Sequence, residues 1–366
     1  MGVTFERIRR WPVMILSDKQ HRDRRIGGTR PERNNIRKNS AIQMKALVYD
    51  HYGPPDVVKL RKLPEPEVRP NDILVRVHAS SVNTGDWRMR AGAFPGLLAI
   101  PARLMFGIFR PRNPRLGSEF AGMVISAGTA VRKFELGDRV FGIVTTGGAS
   151  AEYLAVHESA AITKIPDTLD FDQAAAVPFG AGCALAFLGD FARLKAGQRL
   201  LVVGASGGVG CYAVQIGKAL GADVAGVASS ANLELVRSLG ADRVFDYTQT
   251  SAMKWGDQYD VILDAAGIVT PADGRRMLAR GGRFYPLIFG WAELKAAVAN
   301  LWHDRKISIA SNADTPQRLD ELSQMILAGK LRPVIDSVFL LRNSAAAHAK
   351  VETRRRSGAV VLRIRD

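Results

Sequence analysis

The sequence predicts an α/β protein in which a doubly wound parallel sheet is set inside a strand-rich domain. Three observations carry this. From Arg199 to Ala310, apolar runs of strand length alternate with helical patterns, the order that yields a parallel sheet covered on both faces. From Met44 to Asp167, strand patterns follow one another with proline and glycine between them. Beyond residue 310 a helix leads back to strand patterns, so the alternating segment interrupts the strand-rich one.

The chain is organised around Leu200–Gly210, where an apolar run ends in Ala205-Ser206-Gly207-Gly208-Val209-Gly210 and a helix pattern starts at once. Val209, Ala213, Ile216, Gly217 and Leu220 share one helical face. Strand, glycine turn and helix form the context of a dinucleotide-binding fingerprint, here with Ala205 in the first glycine position. Gly207 lets backbone approach a pyrophosphate, Gly210 lets the helix pack close to the strand, and the helix N-terminus offers free N–H groups to phosphate. A tight structural turn without a ligand is the alternative.

Composition sets limits. The 366 residues are enough for two domains, and 47% hydrophobic with 23% charged residues is ordinary for a globular chain. Cys183 and Cys211 make neither a disulfide framework nor a cysteine-rich zinc site, which suits a cytoplasmic location. No long uncharged apolar run exists, so no membrane association is expected. The net charge of +16 is uneven: residues 1–43 hold +7 of it. That stretch reads as a basic, disordered extension. A nucleic-acid arm, a membrane-surface patch, a targeting segment, a solvated tail or a start upstream of the true one at Met44 are its readings. The solvated tail and the later start are favoured, and a nucleic-acid partner is not expected. Trp11–Leu16 is too short for a signal-peptide core.

In chain order, strands are expected at Lys45–Tyr49, Asp72–His78, Phe120–Ser126, Arg139–Phe141 and Glu152–Val156, with a polar segment, Ser80–Gly92, after the second. Residues 95–115 read as a loop carrying two apolar patches, Leu97–Ile100 and Leu104–Phe109. Residues 170–194 read as helical, with Asp170 or Asp172 as N-cap. Strands follow at Leu200–Val203, Asp223–Ala228, Arg243–Phe245, Val261–Leu263, Arg283–Leu287 and Ile307–Ala310. Between them lie helices Val209–Leu220, Asn232–Leu239, Pro271–Leu278 and Trp291–His303. The last part adds helix Gln317–Ala328, a strand near Val334–Phe339, another helix and strand Ala359–Ile364. The expected division is 1–43, 44–167, 168–310 and 311–366, the last returning to the second.

Several segments together, Ser81-Val82-Asn83 with Asp86, Gly117–Gly122, Gly137–Gly142, Ala151-Glu152-Tyr153, Ala174–Pro178, the glycine turn and Leu239–Asp242, resemble the medium-chain dehydrogenase/reductase superfamily in its zinc-free quinone-reductase-like branch. The resemblance implies a GroES-like β-barrel domain plus a Rossmann domain, an active site in the cleft between them, and a homodimer joined through the Rossmann sheet edge at Trp291–Ala310. It also implies hydride transfer from a nicotinamide cofactor to a quinone or an enone. An alcohol, carbonyl or enoyl reductase of the same superfamily, or a non-catalytic nucleotide-binding regulatory protein, are the alternatives. Where zinc-dependent members carry Cys and His ligands, this chain has Asn83-Thr84-Gly85-Asp86 and Gly117-Ser118-Glu119, and its six histidines show no ligand spacing. No metal is expected.

The cofactor is expected to be NADPH rather than NADH. After the second Rossmann strand come Ser229 and Ser230, which can donate to an adenosine phosphate, with no acid before Glu234 to repel it; Asn232 stands where quinone reductases often hold a Lys, a departure that counts against NADPH. Tyr247 and Arg354 resemble family residues near that phosphate, which makes Arg354→Ala hurt NADPH more than NADH. For catalysis, Asn83 is the candidate donor to the acceptor oxygen or the nicotinamide, or else a turn residue capping the next helix. Arg88 is a candidate cation for a developing oxyanion but a poor proton donor, so the last proton is assigned to water; a surface charge is its other reading. Asp86 is expected to organise the loop.

Overall fold

The computed structural model describes residues 42–94, 99–256, 258–310 and 314–365. The basic extension up to residue 41 and the apolar Leu97-Leu98 lie outside them.

The first part of the chain builds a two-stranded antiparallel sheet and most of a second, seven-stranded one. Strand β1 (Gln43–Val48) pairs with β2 (Lys59–Pro64). Strand β3 (Asp72–Val82) is longer than its hydrophobic alternation suggested. Ile73, Val75 and Val77 are buried, and the strand runs on through Ser80 and Ser81, also buried. Helix α1 (Thr84–Ala91) follows directly, then α2 (Ala99–Phe106), where a loop was expected. Leu104, Met105, Ile108 and Phe109 are exposed in and after α2. Strands β4 (Glu119–Ala127), β5 (Arg139–Ile143), β6 (Tyr153–His157) and β7 (Ala161–Lys164) complete this region. β2 and β7 escaped the sequence reading: β2 is mostly exposed and β7 is only four residues long, so neither leaves a clear periodicity.

Residues 170–194 are not one helix but α3 (Phe171–Ala175), α4 (Pro178–Leu185) and a π-helical turn, Ala186–Phe191. Asp170 caps α3 in a capping box with Gln173. Pro178 starts α4 because proline disfavours helical continuation from the residue before it.

The alternating segment gives β8 (Arg199–Val203), α5 (Gly210–Ala219), β9 (Asp223–Ala228), α6 (Leu233–Ser238), β10 (Arg243–Asp246), β11 (Tyr259–Asp264), α7 (Pro271–Met277), β12 (Leu278–Pro286), α8 (Trp291–Val298) and β13 (Lys306–Ile307). β12 starts at Leu278, earlier than expected, because α7 stops when Leu278 turns extended. The expected helix to His303 ends at Val298 and continues as a 3-10 turn, Ala299–Trp302. All pairings in this sheet are parallel, in the order β10-β9-β8-β11-β12-β13. Strand order reverses between β8 and β11. That is the switch point of a doubly wound sheet, where a crevice opens at the carboxyl ends of the strands. Its central strands are fully buried from Leu200 to Val203, as two helix-covered faces require.

Helix α9 (Pro316–Leu327), β14 (Ile335–Leu340), α10 (Ser344–Glu352) and β15 (Ala359–Arg363) end the chain. β15 pairs antiparallel with β3, Val360 opposite Val82, so the last strand rejoins the seven-stranded sheet. The fold thus joins a largely antiparallel seven-stranded sheet to a doubly wound parallel sheet of six strands. No helix among the described residues is long and apolar enough to cross a membrane.

Candidate active site

The glycine turn sits at the carboxyl end of β8, on the switch point. Gly204 turns the chain with a positive φ of 76°. A Cβ on Gly210 would collide with the Gly204 carbonyl, so this glycine is what lets α5 start against the strand. A Cβ on Gly207 would meet only the Gly204 oxygen, at 3.3 Å, so that position stays open on its outer side. Ala205 is fully buried and its amide donates to Val227 in β9. The amides of Ser206, Gly208, Val209 and Gly210 donate to no acceptor among the described residues. Free amides on a helix N-terminus, with a bare glycine surface, fit a nucleotide pyrophosphate.

The next two strand ends add the other expected cofactor residues. Asn232 donates to Ser229 Oγ over 3.1 Å and accepts from Ser357 Oγ over 2.7 Å. The Tyr247 amide donates to the carbonyl of Ala228, the last residue of β9, and its side chain is half exposed. Ser230 donates to Asp246, the last residue of β10. Here the structure corrects the sequence reading. An acid does stand beside Ser230; it is supplied by the following strand, β10, and not by the residues after β9. Asp246 also accepts from the Thr248 amide and hydroxyl, and these bonds with Ser230 hold its pKa below the usual carboxylate range.

Arg354 has a partner of its own in the fold. Its guanidinium donates to the Ala266 carbonyl, in the loop after β11. The carboxylate of Asp264, fully buried, shapes that loop by accepting from the amides of residues 266 to 269 at 2.7–3.0 Å. The bond from the C-terminal segment to Asn232 is made by Ser357, not by Arg354.

Helix α1 presents the candidate catalytic residues. Asn83 is its N-cap: Oδ1 accepts from the Gly85 and Asp86 amides, and Asp86 accepts from the Asn83 amide, closing a capping box. Both hydrogens of the Asn83 amide are also committed. Nδ2 donates to Ser118 Oγ at 2.8 Å and to Glu119 Oε2 at 3.0 Å. The capping alternative thus describes its bonds, and none of its donors is left for an acceptor molecule. Asp86 is buried, and desolvation pushes its pKa up to about 6 against the pull of the Asn83 amide, Ser118 and Arg356. Arg88 has no acceptor and no ion pair among the described residues; it lies near the Trp87 ring, 6.0 Å from its centroid. Burial, and then the charge of Arg354, lower its pKa. It is not a plain solvated charge.

Glu119, in the Gly117–Gly122 segment, joins the site only through the fold. It is buried at the start of β4 and accepts from Ser81 Oγ, from Asn83 and from the Phe179 amide at 2.7 Å. Desolvation raises its pKa to about 7, against the pull of those three donors. Phe179 belongs to α4, whose Gly180 packs so close to the Gly208 carbonyl that no Cβ fits. α4 therefore bridges the polar cluster around Asn83 and the glycine turn. A carboxylate in an apolar strand, preceded by Gly117-Ser118, was the available signal.

The two segments aligned with metal ligands meet directly, through the Asn83–Ser118 hydrogen bond. Amide, hydroxyl and carboxyl groups are not the thiolate and imidazole set that zinc prefers. Among the described residues no group of three or more His, Cys, Asp or Glu side chains is arranged to hold a metal. Burial pushes the thiols of Cys183 and Cys211 up to about 12, which makes them poor nucleophiles.

Residues 69–167 match the family described as alcohol dehydrogenase GroES-like domain, and residues 239–362 the one described as zinc-binding dehydrogenase. The chain is 33% identical over 348 residues to the NADPH-dependent alkenal/one oxidoreductase, chloroplastic, of Arabidopsis thaliana, with 90% of this chain and 82% of that protein covered. It is 31% identical to the quinone oxidoreductase of Mus musculus, over 84% of this chain and 94% of that one. The solved quinone oxidoreductase from Coxiella burnetii shares a TM-score of 0.79 at 28% identity, covering 88% of this chain and 100% of the other.

Proposed function

Because the chain belongs to the medium-chain dehydrogenase/reductase superfamily, we propose that it is a zinc-independent, NADPH-preferring oxidoreductase that reduces a quinone or an enone. The observation that carries this reading is the convergence at the switch point. The glycine turn with its free amides, α4, and the Asn83–Glu119 cluster at the head of α1 come together there. When bound, the nicotinamide supplies the hydride. The protein binds and orients. The turn holds phosphate, while the strand ends at Ser229 and Tyr247 line the adenosine side. The alkenal/one oxidoreductase of Arabidopsis thaliana, named as NADPH-dependent, supports NADPH.

Arg88 takes the electrophilic part. In quinone and enone reduction negative charge builds on an oxygen, which needs a donor or a cation. Asn83 has both amide hydrogens committed, whereas Arg88 is half-buried and unpaired. Its guanidinium stays charged, so it stabilises the oxygen without giving up a proton, and water delivers the proton. Two copies joined along the β13 edge fit the exposed Trp291, Val298, Leu301 and Trp302.

The test is NADPH and NADH oxidation against quinones, enones and simple ketones, each with and without a strong chelator. Turnover of quinones or enones, unchanged by the chelator, is expected. Turnover of ketones alone, or loss of activity on metal removal, overturns the reading.

A further inference from the structure

The arginine run Arg354-Arg355-Arg356 splits in the fold. Arg354 and Arg355 are exposed, whereas Arg356 turns inward. It approaches the glycine turn: its Nη2 and Nε lie 3.4 and 3.6 Å from where a Cβ on Gly208 would stand. The segment is tied down on both sides. The Gly358 amide donates to the Ser206 carbonyl over 2.9 Å, and Ser357 Oγ donates to Asn232 Oδ1 over 2.7 Å. Arg356 is thus held against the turn from the opposite end of the chain.

The guanidinium is poorly satisfied. Nη1 donates to the Val351 carbonyl at 3.3 Å and Nη2 to Thr84 Oγ1 at 3.0 Å, while the buried Nε has no partner. No carboxylate lies within ion-pair distance among the described residues. The acids coupled to it by charge are engaged elsewhere, Asp86 with the Asn83 amide among them. Asp336 pairs with Lys350 and accepts from the Ser357 amide. Glu119 accepts from Ser81, Asn83 and Phe179. Burying an arginine without a counter-anion is costly, and a protein seldom keeps such a charge unless an anion answers it. Beside it, the turn leaves its amides free.

We infer that Arg356 is the cationic side of the pyrophosphate seat, completing the amides of the glycine turn, and that through Thr84 it ties this seat to the head of α1. This rests on the reading of the turn as a dinucleotide site. The ligand chemistry is the diphosphate itself, common to NADPH, NADH and ADP-ribose and independent of the adenosine 2′-phosphate. Thr84 is the first residue of α1, next to the Asn83 cap. Filling the seat therefore bears on the helix that carries Asp86 and Arg88.

The test is calorimetric binding to the full chain of NADPH, NADH, ADP-ribose and 2′-AMP, which lacks the diphosphate. Arg356→Met is expected to weaken the first three by a common factor of about ten to one hundred, the range of a lost charged hydrogen bond, and to leave 2′-AMP within about twofold. Arg356→Lys, which keeps the charge but not the fork, is expected to lose less, about three- to tenfold on the same three ligands. It decides the matter if the methionine variant does not fold. Unchanged dinucleotide affinity in the variant tested, or equal weakening of 2′-AMP, overturns the assignment of Arg356. Failure of the wild-type chain to bind any of the three diphosphates overturns the oxidoreductase reading itself.

Discussion

Asn83 Nδ2 lies 3.0 Å from Glu119 Oε2, so the cap of α1 and the first residue of β4 form one buried polar unit. Glu119 accepts three donors there but has no ion-pair partner among the described residues. Donors alone do not cancel its desolvation, which explains a carboxyl pushed up to about 7.

That value fixes the sign of a stability effect. The unfolded pKa is about 4.3, so between roughly pH 4.3 and 7 the folded state holds the Glu119 proton and the unfolded state has lost it. Stability from this group is present at the acid end and is lost as pH rises through the folded value. Glu119→Gln carries no such term. Urea unfolding at pH 5 and pH 8 should therefore show the wild type losing on the order of 1–3 kcal/mol more than the variant. His348, pushed down to about 3 by burial, acts in both proteins and drops out of the difference, whereas Asp86, whose charge helps raise Glu119, contributes to it as part of the same cluster. Parallel pH profiles would remove Glu119 as the titrating group.

Two glycines of the turn should separate fold from binding. Gly210→Ala places a Cβ against the Gly204 carbonyl and should cost about 2 kcal/mol or more by thermal or urea unfolding. Gly207→Ala meets only one atom at 3.3 Å and should unfold within about 1 kcal/mol of wild type. Its added methyl group faces the phosphate position, so dinucleotide affinity should fall about tenfold or more. Equal unfolding of both variants, or full affinity in Gly207→Ala, would contradict this assignment.

The adenosine end gives a charge test. Asp246 stands beside Ser230, where a 2′-phosphate would feel its charge. Asp246→Asn should shift the ratio of NADPH to NADH affinity toward NADPH by about three- to tenfold. Arg354→Ala should change both affinities alike, because its guanidinium is committed to the Ala266 carbonyl. A selective loss of NADPH in Arg354→Ala would restore the role read from sequence.

Arg90 tests how α1 is held. It is fully buried, donates to the Gly53 carbonyl and pairs with Glu352 of α10 at 2.7 Å. Glu352→Ala strands that charge and should cost about 2–3 kcal/mol in urea unfolding, below the range for fully buried pairs because Glu352 is partly exposed. A change under about 0.5 kcal/mol would mean that the Gly53 bond alone suffices.

Local pattern already held the parallel sheet, the glycine turn and the order of its helices, since alternation and glycine placement are properties of neighbours in sequence. Membership of the superfamily was also legible, in segments such as Ser81-Val82-Asn83 and Gly117–Gly122. Tertiary structure alone decided which groups meet. Asp246 reaches Ser230 from the adjacent strand, Glu119 gathers donors from β3, Asn83 and α4, and Arg354 and Arg356 of one run go to different places. Hydrogen-bond partners, burial and the pKa values that follow depend on packing between distant segments, which no periodicity records. Asn83 shows the difference. Its position was readable from sequence, but only the fold showed that its amide was already spent.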